Sequence, residues 1–219
     1  MDRVRAARGA TVAGIATLVL SWWFTTQAAV ACSDGGPVSA TSALGAFQMA
    51  RNPEAVSAAI GCTERLHVLN SMNRADLIAF IPSYGLLVVL ATVALASGRL
   101  RRVALLLFGI ALLGDVVETA TQLWIGGRWP FVTQPMMGLL AAGSAAKFAG
   151  LSVGCGALGL AMLQHLRGMT RWLGLGVAVF GLLGLTVFVK TGAPFLSLAI
   201  LLLVAACAIN ARRRKVEVS

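Results

Sequence analysis

Two acids stand inside an apolar run. Asp115 and Glu118 are the only charges between Val103 and Ile125. Arg101 and Arg102 mark one end of that run, and only the residues Val103 to Gly114 separate them from Asp115. Crossing a hydrocarbon core about 30 Å thick takes roughly 20 residues at about 1.5 Å each. A helix starting at the arginines therefore cannot cross without carrying Asp115 to mid-depth. Glu118 follows one turn nearer the outside, and the i, i+3 spacing puts both carboxyls on nearly the same face. An acid at the bilayer centre costs about 2.5–3.5 kcal/mol on insertion scales. Such residues face a bundle interior or a cavity and need partners.

Lys147 is the expected partner. If the fourth span begins near Met136, Lys147 reaches the depth of Asp115, and a buried pair fixes helix register. If that span runs from Phe148 to Leu166, Lys147 lies at the outer edge and extends toward the headgroups. A buried ion pair can be purely structural. Glu118 then keeps a proton, bonds Gln122 one turn on, or holds a cation. Asp76 and Tyr84 are eight residues apart, on roughly one helix face. If that face looks at the third span, Asp76, Tyr84, Asp115, Glu118 and Gln122 line a polar path from the outer surface. Asp76 has a second reading: with Asn73 three residues earlier it resembles a capping box opening the second span. His67 reads as a solvated surface residue and His165, beside Arg167, as a headgroup neighbour. Two histidines with no CxxC or HxxxH spacing give no metal site, and no cofactor is expected.

No GxSxG, H-E-x-x-H or P-loop is present. Three roles fit what remains. The acidic cluster binds or passes a small solute, proton or cation. Alternatively the chain is an accessory subunit that docks on other membrane proteins. In the third, Asp115, Glu118 or Asp76 serves as acid or base in an intramembrane enzyme acting on lipid. The absence of a clear inverted repeat weakens a transporter, and the absence of a nucleophile–base pair weakens an enzyme.

The elements that must position these residues follow from composition. Of 219 residues 58% are hydrophobic and 12% charged, against about 25% charged in soluble domains. The chain is expected to be an all-α integral membrane protein, with the lipid bilayer as its first partner. The net charge of +10 sits in short clusters between apolar runs, which excludes a nucleic-acid role. An Ala-, Gly- and Arg-rich, Lys-poor composition points to a bacterial cell (inner) membrane. Charge-poor runs predict a single membrane domain of six spans, about 10–31, 77–97, 103–125, 137–164, 172–189 and 193–210. The last two form a hairpin through Lys190-Thr191-Gly192.

Orientation follows the Lys/Arg bias. With the N-terminus inside, twelve cations (Arg3, Arg5, Arg8, Arg99, Arg101, Arg102, Arg167, Arg171, Arg212, Arg213, Arg214, Lys215) are cytoplasmic. Five (Arg51, Arg65, Arg74, Arg128, Lys190) are outside, Lys147 being set apart. The prediction is a multi-pass, six-helix transmembrane bundle with both termini cytoplasmic. Trp124 and Trp129 then fall at the outer interface and Trp172 at the inner one, while Trp22 and Trp23 fall past the middle of the first span. The first span has a rival reading as a cleaved signal: a basic start, an apolar run, and Ala29-Val30-Ala31 before Cys32. Cleavage would leave five spans and an outside N-terminus.

Residues 32–75 form a small extracytoplasmic cap. Asn52-Pro53-Glu54 is a helix start, with an Asn cap, Pro at the first position and an acid at the positive dipole end. Gly61 ends that helix. Leu44 and Phe47 before it, and Leu66, Leu69 and Met72 after it, are spaced as apolar faces. The segment has too few apolar residues for its own core. Cys32 and Cys62 both lie in the cap, where the environment is oxidising, and are expected to form a disulfide. Cys155 and Cys207 read as small buried hydrophobes. Gly150 and Gly154 form a GxxxG extended by Ala146, a close-packing face within the protomer or in a homodimer.

Overall fold

The computed structural model describes residues 2–33, 36–189 and 193–216; the expected connector Lys190-Thr191-Gly192 lies outside them. The described residues are helical, with no strand beyond an isolated antiparallel bridge between Val30 and Val38. The elements are α1 (Arg3–Thr25), α2 (Ala40–Gln48), α3 (Pro53–Ile60), α4 (Thr63–Ala75), a π-turn (Asp76–Phe80), α5 (Ile81–Leu95), α6 (Gly98–Arg128), α7 (Gln134–His165), α8 (Met169–Leu183), a 3₁₀ turn (Gly184–Val189) and α9 (Ala193–Val216). Among the described residues six helices are long and apolar enough to cross a membrane: Arg3–Thr25, Thr63–Leu95, Gly98–Arg128, Gln134–His165, Met169–Val187 and Pro194–Arg212.

Two departures from the expected boundaries have a local cause. The first span was expected over 10–31, but α1 stops at Thr25. The cause is local: Thr25 and Thr26 hydroxyls donate to the carbonyls of Trp22 and Trp23 at 2.7 Å, and Gln27 Nε2 donates to Trp23 O at 3.1 Å. These side chains satisfy the last orphan carbonyls and end the helix. Trp22 and Trp23 are thereby in its last turns. The second span was expected to open at a capping box. Instead helix runs unbroken from Thr63 to Leu95, and Asn73 and Asp76 are buried in its middle rather than capping it. Pro82 cannot donate to a carbonyl four residues back and its ring crowds the preceding turn. The chain widens just ahead of it, Ile81 N–H reaching Asp76 O over five residues, which is a recognised way for a helix to absorb such a break.

The described chain divides into two compact units. The first comprises Met1–Thr17, Ser83–Leu112 and Lys147–Ser219. Its helices approach through glycine. A Cβ on Gly150 would stand 2.7 Å from Leu107 O, and one on Gly154 2.7 Å from the Phe108 ring, so the GxxxG face is filled by α6 of the same chain. A Cβ on Gly159 would meet Ala178 N at 2.4 Å, bringing α7 and α8 backbone to backbone. The start of α1 belongs here too: Ala6, Ala7, Ala10 and Ala13 are buried, and a Cβ on Gly14 would meet Val204 and Leu87.

The second unit comprises Leu18–Pro82 and Leu113–Ala146. Here α3 forms as expected: Asn52 caps it, its side chain accepting from Ala55 N–H at 2.7 Å, and Gly61 ends it at φ 69°. That left-handed φ is the conformation glycine adopts at little cost. Phe47, Val56, Ile60, Leu66 and Leu69 from the short helices form one core with Ile125 of α6 and Met136, Met137 and Leu140 of α7. The cap and the ends of two long helices thus share a core. Cys32 and Cys62 are disulfide-bonded.

Candidate functional site

The polar residues of the second unit gather between the α4–π-turn segment and the adjoining half of α6. Asp115 and Glu118 are both 0% exposed, and Asp76, Thr119 and Gln122 are buried with them. The i, i+3 and i+4 spacings of α6 place Asp115, Glu118, Thr119 and Gln122 along one side of the helix. The other side is apolar and exposed, through Leu113, Val116, Val117 and Trp124. From the π-turn, Asp76 Oδ2 accepts a hydrogen bond from Thr119 Oγ1 at 2.8 Å. Within α6, Gln122 Nε2 donates to Glu118 Oε1 at 3.4 Å, a long contact by ordinary hydrogen-bond geometry.

Glycine sets how close α7 comes to these acids. A Cβ on Gly143 would stand 2.7 Å from Glu118 N and 2.9 Å from Gly114 O, so the two backbones touch at the level of the carboxyl pair. The next residue, Ser144, donates its hydroxyl to Gln48 O at 3.1 Å and ties the end of α2 to α7. On α4, Asn73 is 1% exposed and its Nδ2 has no hydrogen-bond acceptor. Asn70 lies against Gly126 of α6, whose Cβ would meet Asn70 Oδ1 at 2.5 Å.

Four of the six proposed site residues, Asp76, Asp115, Glu118 and Gln122, are therefore brought into one buried seam. Tyr84 and Lys147 belong to the other unit, where each is buried; Lys147 Nζ sits 5.4 Å from the Phe148 ring centroid. Because α7 starts at Gln134, Lys147 is interior to a long helix and not at the start of a short one. The sequence reading missed Thr119 and Gly143 and gave Asn73 only a capping role. Thr119 is a polar residue one step past Glu118 in an apolar run, a signal that was present. Gly143 looks like any other glycine of the run until the helix it faces is known.

The donor set is oxygen: carboxyls, a hydroxyl and a carboxamide, the kind hard cations prefer. Among the described residues, however, no three of His, Cys, Asp and Glu converge as metal ligands. Comparison with protein-family models, with curated proteins and with solved structures finds no match to this chain.

Proposed function

We propose that the chain is a multi-pass membrane protein, with both termini cytoplasmic, whose buried carboxyls Asp115 and Glu118 take up and release a proton. The membrane part of this reading is supported by α6. Its apolar residues Val103, Leu106, Ile110, Leu113, Val117 and Trp124 are exposed at spacings of three, four and seven along the helix. Its acids are on the buried side. A water-soluble helix has the opposite arrangement, and lipid is the solvent that suits this one. Orientation rests on the Lys/Arg asymmetry, and the packed small-residue stripe of α1 supports an uncleaved first span.

The observation that carries the proton is the complete burial of two carboxyls one turn apart. Membrane proton relays are built from such groups. The test is infrared titration of the purified protein in lipid nanodiscs, following the carbonyl band of protonated carboxyls between acid and neutral pH. Asp115→Asn and Glu118→Gln should each remove part of the titrating signal. A titration unchanged by both variants would defeat the proposal. It would leave the acids as packing elements of a docking subunit, in which case the variants change thermal stability alone.

A further inference from the structure

The cap holds a cation in an unusual place. Arg51 and Arg74 are exposed, but Arg65 is 6% exposed. Its position explains this: it precedes Leu66 and lies one turn before Leu69, so it is carried onto the core-facing side of α4. Nη2 donates to Val30 O at 3.0 Å, and Nε has no acceptor. The guanidinium passes over Gly61, where a Cβ would stand 2.8 Å from Nη1. Glycine at that position therefore serves the arginine as well as the left-handed turn. No carboxylate among the described residues bonds it.

Arg65 also lines a cavity of about 380 Å³ with Cys32, Gly36, Val38, Ser57, Ala58 and Gly61. Gly36, Ala58 and Gly61 on its rim are exposed, so the cavity is reachable from outside. Its volume is in the range of small-molecule pockets, about 300–1,000 Å³, and far larger than a monatomic ion needs. The wall offers one positive fork, one hydroxyl and small apolar surface. A guanidinium only 6% exposed, with no acid partner among the described residues, is stabilised by an anion that joins it, and its planar donors match a carboxylate two to two. A single cation balances one negative charge, which favours a carboxylate over a phosphate dianion.

We propose that this cavity binds the carboxylate of a small organic acid, Arg65 holding the charge, Ser57 offering its hydroxyl, and Val38 and Ala58 flanking an apolar body. The test uses the full chain in nanodiscs with sodium butyrate as probe, and sodium chloride and sodium phosphate at matched ionic strength as comparisons. Two readouts are taken: the thermal unfolding midpoint, and the rate of Arg65 modification by phenylglyoxal located by peptide mass spectrometry. Butyrate should raise the midpoint and slow the modification severalfold, while chloride and phosphate do neither. Arg65→Ala also removes the bond to Val30, so Ala58→Trp is the second variant. It fills the cavity, leaves the arginine in place, and should abolish the butyrate effect without lowering the ligand-free midpoint. Butyrate acting no better than chloride or phosphate, or acting equally on Ala58→Trp, overturns the proposal.

Discussion

At the scale of single residues, Gly143 and Gly127 make a matched pair. Both lie in long helices, where glycine costs about 0.5–1 kcal/mol relative to alanine. Nothing stands within 4 Å of a Cβ on Gly127, whereas one on Gly143 meets backbone of α6. Backbone cannot turn aside as a side-chain end can. Gly143→Ala should therefore destabilise by about 1–3 kcal/mol, as overpacking does, while Gly127→Ala should stabilise by up to about 1 kcal/mol. Unfolding midpoints of the purified variants check both signs. Thr119→Val removes the hydroxyl that Asp76 accepts while keeping the volume. Bonds to charged groups are worth about 1.5–3 kcal/mol in water-soluble proteins, but side-chain bonds between membrane helices average about 0.6 kcal/mol. A loss of about 1–2 kcal/mol in the same assay is expected, and no loss would mean that water replaces Thr119.

At the scale of elements, legibility followed the presence of specific end signals. The start and stop of α3 could be read because Asn52, Pro53 and Gly61 each do a defined backbone job. The six apolar helices could be read because length and composition suffice for them. The end of α1 and the unbroken helix from α4 into α5 could not. Threonine and glutamine ending α1 are ordinary residues there, and only their bonds to Trp22 and Trp23 reveal the stop. In an apolar run every side looks alike, so periodicity says little about facing or register. Asn73 and Asp76 were read as a cap because their spacing matches one, whereas they are buried mid-helix. Asp115 and Glu118 stood out through the cost of placing acids in an apolar run, and Thr119 left a weaker signal in the same run, but that Asp76 accepts its hydroxyl needed the fold. The cap gives the element-scale prediction. Cys32 and Cys62 are 30 residues apart, and closing such a loop is worth about 3–4 kcal/mol in the chain-entropy model. The double Cys→Ser variant should lose about that much, with the loss seen as earlier proteolysis within residues 36–62 while the long helices stay protected.

At the scale of the whole molecule, the proposal of an uncleaved first helix has a direct consequence. N-terminal sequencing or intact mass of the membrane-extracted protein should retain α1, whose Ala6, Ala10 and Gly14 are packed in the first unit. A chain beginning at Cys32 would overturn it. Reporter fusions at both ends should report the cytoplasm. The bridged cysteines add a check that owes nothing to counting arginines. Cytoplasmic thiols are kept reduced and exported ones oxidise, so the redox state of Cys32 and Cys62 in intact cells tells which side of the bilayer the cap occupies. Rapid thiol trapping on an untagged protein would read out sidedness from within, and a pair found reduced in healthy cells would turn the whole topology over.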